Sequence, residues 1–185
     1  MKHILFTITL FIGLLSCKAQ SPIIAIEDRT PPYNEGVYYK DINGVFDPFI
    51  GTWIWQDGNS SITIEIVKIE MEHREGHKIN EYRDNLYGQI KYIENGVEIF
   101  NTLNSVEYAL INMRGTPTNN WLGFRFKDPL LPKKGHIDFD LLDDNTQATF
   151  RLRNTEGSRI YLDGETHEDP EFSMPRRVEY ILTKQ

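Results

Sequence analysis

Residues 136–152, HIDFDLLDDNTQATFRL, hold two strands and the turn that joins them. Ile137, Phe139 and Leu141 alternate with His136, Asp138 and Asp140. Ala148, Phe150 and Leu152 take up the same rhythm after Asp143-Asp144-Asn145. Successive side chains of an extended chain point to opposite faces. A period of two therefore sets one apolar row against a core and one polar row away from it. Asp and Asn bond their own backbone and tolerate tight reversals, which makes the acidic stretch a turn. The unit is an antiparallel pair, half-buried.

The pattern recurs along the chain. Ile62, Ile64 and Ile66 alternate with Thr63 and Glu65, after the aromatic run 52–55 and the turn signal Asp57-Gly58-Asn59. The shift of phase to Val67 and Ile69 predicts a bulge. Residues 86–93 and 97–100 flank Asn95-Gly96, the dipeptide that best suits a two-residue hairpin turn. Leu122, Phe124 and Phe126 alternate, residues 160–162 read as a short strand, and Val178, Tyr180 and Leu182 close the chain. The weakest stretch is 75–92, where residues 82–86 read as a helical turn. Frequent turn signals and no sustained 3.6-residue period predict an all-β fold, an antiparallel up-and-down barrel of about eight to ten strands, with a β-sandwich as the alternative.

The N-terminus obeys another logic. Lys2 and His3 give a positive start, residues 4–15 are apolar apart from Thr7, Thr9 and Gly13, and Leu14-Leu15-Ser16-Cys17 ends the run. Twelve helical residues span about 18 Å, short of the ~30 Å hydrocarbon core, so residues 1–16 read as a removable signal peptide. Two apolar residues, a small residue and the chain's one cysteine form a lipobox. Cys17 is therefore the expected lipidation site, and a lipid anchor there is the expected link to a membrane. Lipidation consumes the thiol and leaves no disulfide. Lys18 favours the outer membrane of a bacterial cell envelope, facing either the periplasm or the outside. Residues 17–44 read as the lipidated N-terminus and a tether kept irregular by Pro22, Pro31 and Pro32, although Val37-Tyr38-Tyr39 could dock. Residues 45–185 read as the barrel domain.

Composition excludes several functions. The formal net charge is −7, opposite to the clustered basic face that nucleic acid requires. There is no Gly-x-Ser-x-Gly elbow, no phosphate loop and no dinucleotide fingerprint,. With the cysteine spent on lipid, no Cys–His catalysis remains. The expectation is a protein that is not an enzyme and needs no cofactor or metal.

Gly51-Thr52-Trp53 resembles the Gly-x-Trp start of the first barrel strand in lipocalins and related ligand-binding barrels. The resemblance implies a lipocalin-like barrel in which Gly51 opens the strand and Trp53 closes one end. It also implies that Arg176 or Arg177, just before the last strand, covers the Trp53 ring as a cation–π pair. More of the chain is similar to a family of small bacterial lipoproteins, a domain of unknown function. That similarity runs through Arg29-Thr30-Pro31-Pro32-Tyr33, Tyr39-Lys40-Asp41, Gly51-Thr52-Trp53, Leu86-Tyr87-Gly88 and Asn95-Gly96. It supports location and architecture and supplies no catalytic residue.

Trp53, Trp55, Trp121, Phe124 and Phe126 are the expected lining of an apolar pocket, with plain core packing as the competing reading. His73 and His77 have the four-residue spacing of zinc ligands on a helix, but Gly76 makes the segment a solvated hairpin tip. His136, Asp138 and Asp140 share one strand face, either as a carboxylate–imidazole site inside the barrel or as its solvent side. The acidic loop 163–169 offers oxygens to calcium without the EF-hand spacing. The expected function is non-enzymatic binding of a small apolar or amphipathic ligand by an envelope lipoprotein. The alternative is a cell-envelope protein-interaction or scaffold module.

Overall fold

The alternating runs become strands β1 (Ile23–Ala25), β2 (Tyr38–Lys40), β3 (Gly51–Asp57), β4 (Ser60–Gly76), β5 (Ile79–Glu94), β6 (Val97–Asn101), β7 (Leu110–Asn112), β8 (Trp121–Lys127), β9 (Lys134–Leu141), β10 (Gln147–Asn154) and β11 (Glu179–Lys184). The structure, a computed structural model, describes residues 21–31, 34–76, 79–113, 116–118, 120–142, 144–154 and 171–185. The signal segment, the lipobox with Cys17, His77, the strand expected at 160–162 and the acidic loop 163–169 lie outside these residues.

Eight strands close into a ring: β3, β4, β5, β7, β8, β9, β10 and β11, each antiparallel to the next, with β11 returning to β3. The barrel is the expected up-and-down type, and a sandwich is excluded because no strand of the ring has a free edge. Strand β6 folds back on the end of β5 through Asn95-Gly96, both at positive φ (51° and 81°), as the two-residue hairpin requires,.

An eight-stranded bore is just wide enough for side chains to fill it. Here the inward rows do so. Trp53, Ile62, Ile64, Phe124, Phe126, Ile137, Phe139, Phe150 and Leu182 are all 0 % exposed, so water touches none of them from outside or within. Phe139 is the centre of the packing. Its ring centroid lies 5.1 Å from Trp53, 6.3 Å from Phe124 and 6.2 Å from Phe49.

Phe49 belongs to a plug. Val37, Tyr39, Phe46 and Phe49 are buried in the same core cluster, and a 3-10 turn at Asp47–Phe49 brings the chain across the barrel end. Trp53 Nε1 donates to the Phe49 carbonyl at 2.8 Å. Pairing begins well before residue 45, the expected domain start. Strand β1 pairs parallel with β2, and β2 pairs parallel with β5. The described part of the expected tether is thus docked from Ile23 onward. Its prolines interrupt regular structure without preventing short extended segments from finding the open flank of β5.

The cation over Trp53 is Lys184, 5.3 Å from the ring centroid, with its Nζ donating to the Pro48 carbonyl at 2.8 Å. This corrects the expectation for Arg176 and Arg177. Trp53 sits near the start of β3, and β3 runs antiparallel to β11, so Trp53 pairs with Lys184 at the end of β11. Arg177 lies seven residues earlier, roughly 20 Å away along an extended strand. Gly51 has φ 131°, and a Cβ on it would stand 3.2 Å from Lys184 Cε. Both the backbone and the close approach favour glycine.

Strands β4 and β5, with 17 and 16 residues, are about twice as long as their neighbours and project past the barrel. The bulge between Ile69 and Glu72 comes a few residues after the shift of phase and puts Met71 at φ 53°. Met71 N donates to Asp84 Oδ1 at 3.0 Å, which anchors it. Residues 82–86 are strand, not a helical turn. Their polar side chains hide the alternation because both faces of β5 are covered: Glu81, Arg83, Asp84 and Asn85 are all buried.

Lys184→Met removes the cation over Trp53 and the bond to Pro48. Chemical denaturation is expected to show a loss of about 1–2 kcal/mol. An unchanged midpoint would mean that Lys184 does not hold the plug.

Candidate functional site on the outer wall

The outward rows carry the chemistry that a partner can reach. Strand register draws one hoop across six strands. Val67 faces Tyr87, Tyr87 faces Ile111, Ile111 faces Arg125, Arg125 faces His136, and His136 faces Arg153. Half of the hoop is apolar, and the other half is two arginines with a histidine between them. Two residues along, Gly123, Asp138, Arg151 and Glu179 form a second row.

Gly123 makes room for the centre of the site. A Cβ there would stand 2.7 Å from His136 Cε1 and 2.9 Å from Trp121 Cη2. In that space Trp121 and His136 stack, with centroids 6.0 Å apart and planes 28° from parallel.

Beneath the rings lies Asp138, 2 % exposed although it points away from the bore. Trp121 Nε1 donates to its Oδ1 at 3.1 Å, and an Arg153 guanidinium N–H donates to the same oxygen. His136 Nε2 is 3.3 Å from Oδ1, and Arg151 Nη2 is 3.5 Å from Oδ2. One carboxylate thus serves two guanidiniums, and with Arg125 alongside, three arginines stand among the three carboxylates of Asp138, Asp140 and Glu179. The next outward residue of β9, Asp140, has its carboxyl pushed above the ordinary value of 3.8. Burial is the main cause and the Asp138 charge comes second, against the pull of Arg151.

His136, Asp138 and Asp140 therefore share a face, as alternation implies, but that face is the outer wall and not a site inside the barrel. The five aromatics expected to line one pocket are dispersed. Trp53, Phe124 and Phe126 are packed in the bore. Trp55 is half-buried towards the other end of the barrel, edge-on to Tyr180 at 4.8 Å. Trp121 is on the outside, because its position has opposite parity to Phe124 and Phe126 along β8. His73 is exposed, stacks on Tyr82 at 4.8 Å and bonds Asn80 Oδ1 at 3.0 Å. Among the described residues no three His, Cys, Asp or Glu side chains converge as a metal site. Arg176 lines a cleft of about 290 Å³ with Glu94, Phe172 and Met174, at the end of the barrel away from the plug.

Sequence reasoning missed Gly123, Arg125, Arg151 and Arg153. Their outward parity was readable in each strand. Which of them become neighbours depends on cross-strand register.

Compared with known protein families, the chain matches the Family of unknown function (DUF6705) over residues 1–185 and belongs to it. No curated protein and no solved structure matches.

Asp140→Asn tests the electrostatics of the wall. A carboxyl whose folded pKa lies above its unfolded value costs stability when ionised, and that cost disappears as pH falls through the raised value. The substitution is expected to raise stability at pH 7 by up to about 1 kcal/mol. The gain should vanish below the ordinary value of 3.8. Equilibrium unfolding across pH measures both; a destabilised variant at pH 7 contradicts the assignment.

Proposed function

We propose that the chain is a lipid-anchored protein of the bacterial cell envelope that is not an enzyme and holds an acidic protein segment on the outer wall of its barrel. The filled bore carries this reading. The space that a ligand inside the barrel would occupy is taken by Trp53, Phe124, Phe139 and Phe150, which leaves the outer surface as the place to bind.

The wall has the composition of an interaction surface. Trp and Arg are the side chains that most often dominate binding energy at protein interfaces. Here Trp121, Arg125, Arg151 and Arg153 stand beside Ile111 and the exposed Met113 and Val67. Arg125, exposed and without an ion pair among the described residues, favours an acidic partner by charge complementarity,. The same charges oppose insertion of the barrel in a bilayer, where a lipid-facing band has to be apolar. They support a domain that sits beside the membrane, held by lipid at Cys17, with Lys18 favouring the outer membrane.

A second reading rests on the cleft at the barrel end, where about 290 Å³ beside Phe172 and Met174 could take a small amphipathic ligand,.

Two experiments test the proposal. Cys17→Ser should move the protein from the membrane fraction to the soluble or unprocessed fraction, and retention of a mature membrane-bound form contradicts the anchor. A photo-crosslinker at Met113 should give one adduct with an acidic protein, lost with Arg125→Glu and kept with Arg125→Lys. An adduct unaffected by Arg125→Glu contradicts the wall as the binding surface.

A further inference from the structure

The connection from β8 to β9, Asp128-Pro129-Leu130-Leu131-Pro132-Lys133, displays two leucines to solvent. Leu130 is 59 % exposed, and Leu131 is exposed beside it. The buried Asp128 holds them there. Its Oδ1 accepts from Leu130 N and Leu131 N, both at 3.0 Å. The Ser173 hydroxyl donates to the same oxygen at 2.6 Å, and Ser173 N donates to Oδ2 at 2.7 Å. Asp128 N donates to the Lys133 carbonyl at 3.0 Å, and Lys133 N to the Leu131 carbonyl at 2.7 Å. With these bonds in place the leucines are turned away from the core. The neighbouring loop, residues 102–109, displays Val106 at 97 % exposure.

Between the two loops lies an open cleft of about 170 Å³, lined by Ser105, Glu107, Tyr108, Ala109, Lys127 and Pro129. Tyr108 is backed by Tyr87, with ring centroids 4.8 Å apart, and the Glu107–Lys127 ion pair joins the two loops. Pockets for free small molecules begin at about 300 Å³. A cleft of this size suits one side chain of a larger partner. It continues the outer wall. Lys127 follows Arg125 on the outward face of β8, about 7 Å along the strand, and pairs in register with Lys134. Arg125 and Lys134 are exposed, and neither has an ion pair among the described residues. We infer that the acidic segment held by the wall also carries a bulky apolar side chain, which anchors in this cleft about two to four residues from an acidic residue facing Arg125 or Lys134. The inference rests on the wall as the binding surface and adds the second half of the recognised motif.

Two features favour a protein segment over a lipid surface. The first is charge: an acidic segment complements Arg125 and Lys134 along an extended strand pair. The second is position. Strand β1 enters beside the projecting part of β5, where Ile23 pairs with Tyr38 and Tyr38 with Tyr82. Gln89, whose Nε2 donates to the Ser105 and Glu107 carbonyls of the cleft loop, lies seven residues farther along β5, about 23 Å away,. The cleft is thus at the end of the barrel opposite to the chain's entry, and an anchor at Cys17 leaves it facing away from the membrane. A side chain seated in a preformed cleft between apolar banks is the kind of contact that dominates binding energy, and a turn already held by Asp128 lowers the ordering cost.

The test is selection of a displayed random peptide library on the full chain in detergent, followed by fluorescence anisotropy of the selected peptide. Selected sequences are expected to pair Asp or Glu with Leu, Ile, Met or Phe at a spacing of two to four residues. No enrichment, or enrichment of sequences without that pair, overturns the inference. Replacing the peptide's apolar residue by alanine should weaken binding roughly tenfold or more. Ser105→Trp, which fills the cleft from an exposed loop position, should do the same, and so should Arg125→Glu. Loss with Arg125→Glu but not with Ser105→Trp overturns the cleft and leaves the acidic wall standing. Loss with Ser105→Trp but not with Arg125→Glu overturns the acidic half of the motif. Indifference to both overturns the cleft and the wall together. If Ser105→Trp does not fold, unchanged binding by Val106→Glu overturns the cleft. A photo-crosslinker at Leu130 that captures lipid and no protein in cells overturns the choice of occupant.

Discussion

Closure of eight antiparallel strands sets the size of the bore, and the aromatic rings that fill it decide most of the remaining architecture. Phe139 touches Trp53, Phe124 and Phe49, so three strands and the N-terminal plug meet at one ring. A bore of this circumference holds about one layer of large side chains. Once rings occupy it, little is left inside for a ligand. The plug obeys the same constraint. Phe49 completes the packing beneath Trp53, and Lys184 is available above the indole because the last strand ends where the first begins.

A filled bore transfers function to the outside. Outward rows in most small barrels are only solvated, yet here a missing side chain at Gly123 admits two stacked rings, and Asp138 is buried beneath them. Asp138 accepts a hydrogen bond from Arg153 and stands within ion-pair distance of Arg151. Arg125 beside it is displayed without an ion pair among the described residues, on a protein of formal net charge −7. The projecting β4–β5 hairpin is a second polar region of different origin. There both faces of β5 are covered, with Glu81, Arg83 and Asn85 buried on one and Asp84 on the other.

Strands with one apolar row were legible: the first part of β4, β8, β9, β10 and β11 were each readable from alternation, β3 from its aromatic run, and Asn95-Gly96 announced its hairpin. Three kinds of element were not. Strand β7 has three residues, too few to show a period. Strand β2 adds to β5 and β1 adds to β2, each in parallel over two or three residues, and their stability comes from docking. The first half of β5 is buried on both faces with polar side chains, so no row stands out. The candidate site was half legible. The shared face of His136, Asp138 and Asp140 and the opposite parity of Trp121 and Phe124 are consequences of period two. The grouping of the aromatics overlooked that parity, and the choice of Arg176 or Arg177 overlooked that an antiparallel neighbour's start faces a strand's end.

By itself, the sequence determined the fold class, the turns and the two faces of each regular strand, because these are local properties of alternation and of residues that reverse the chain. Tertiary structure alone decided that the ring closes between β11 and β3, that Lys184 is the cation over Trp53, that Arg125, His136 and Arg153 stand in one row, and that Arg83 is buried. Each of these depends on register between residues far apart in sequence. Register is set by how the whole set of side chains fills the bore, which no single stretch of the chain encodes.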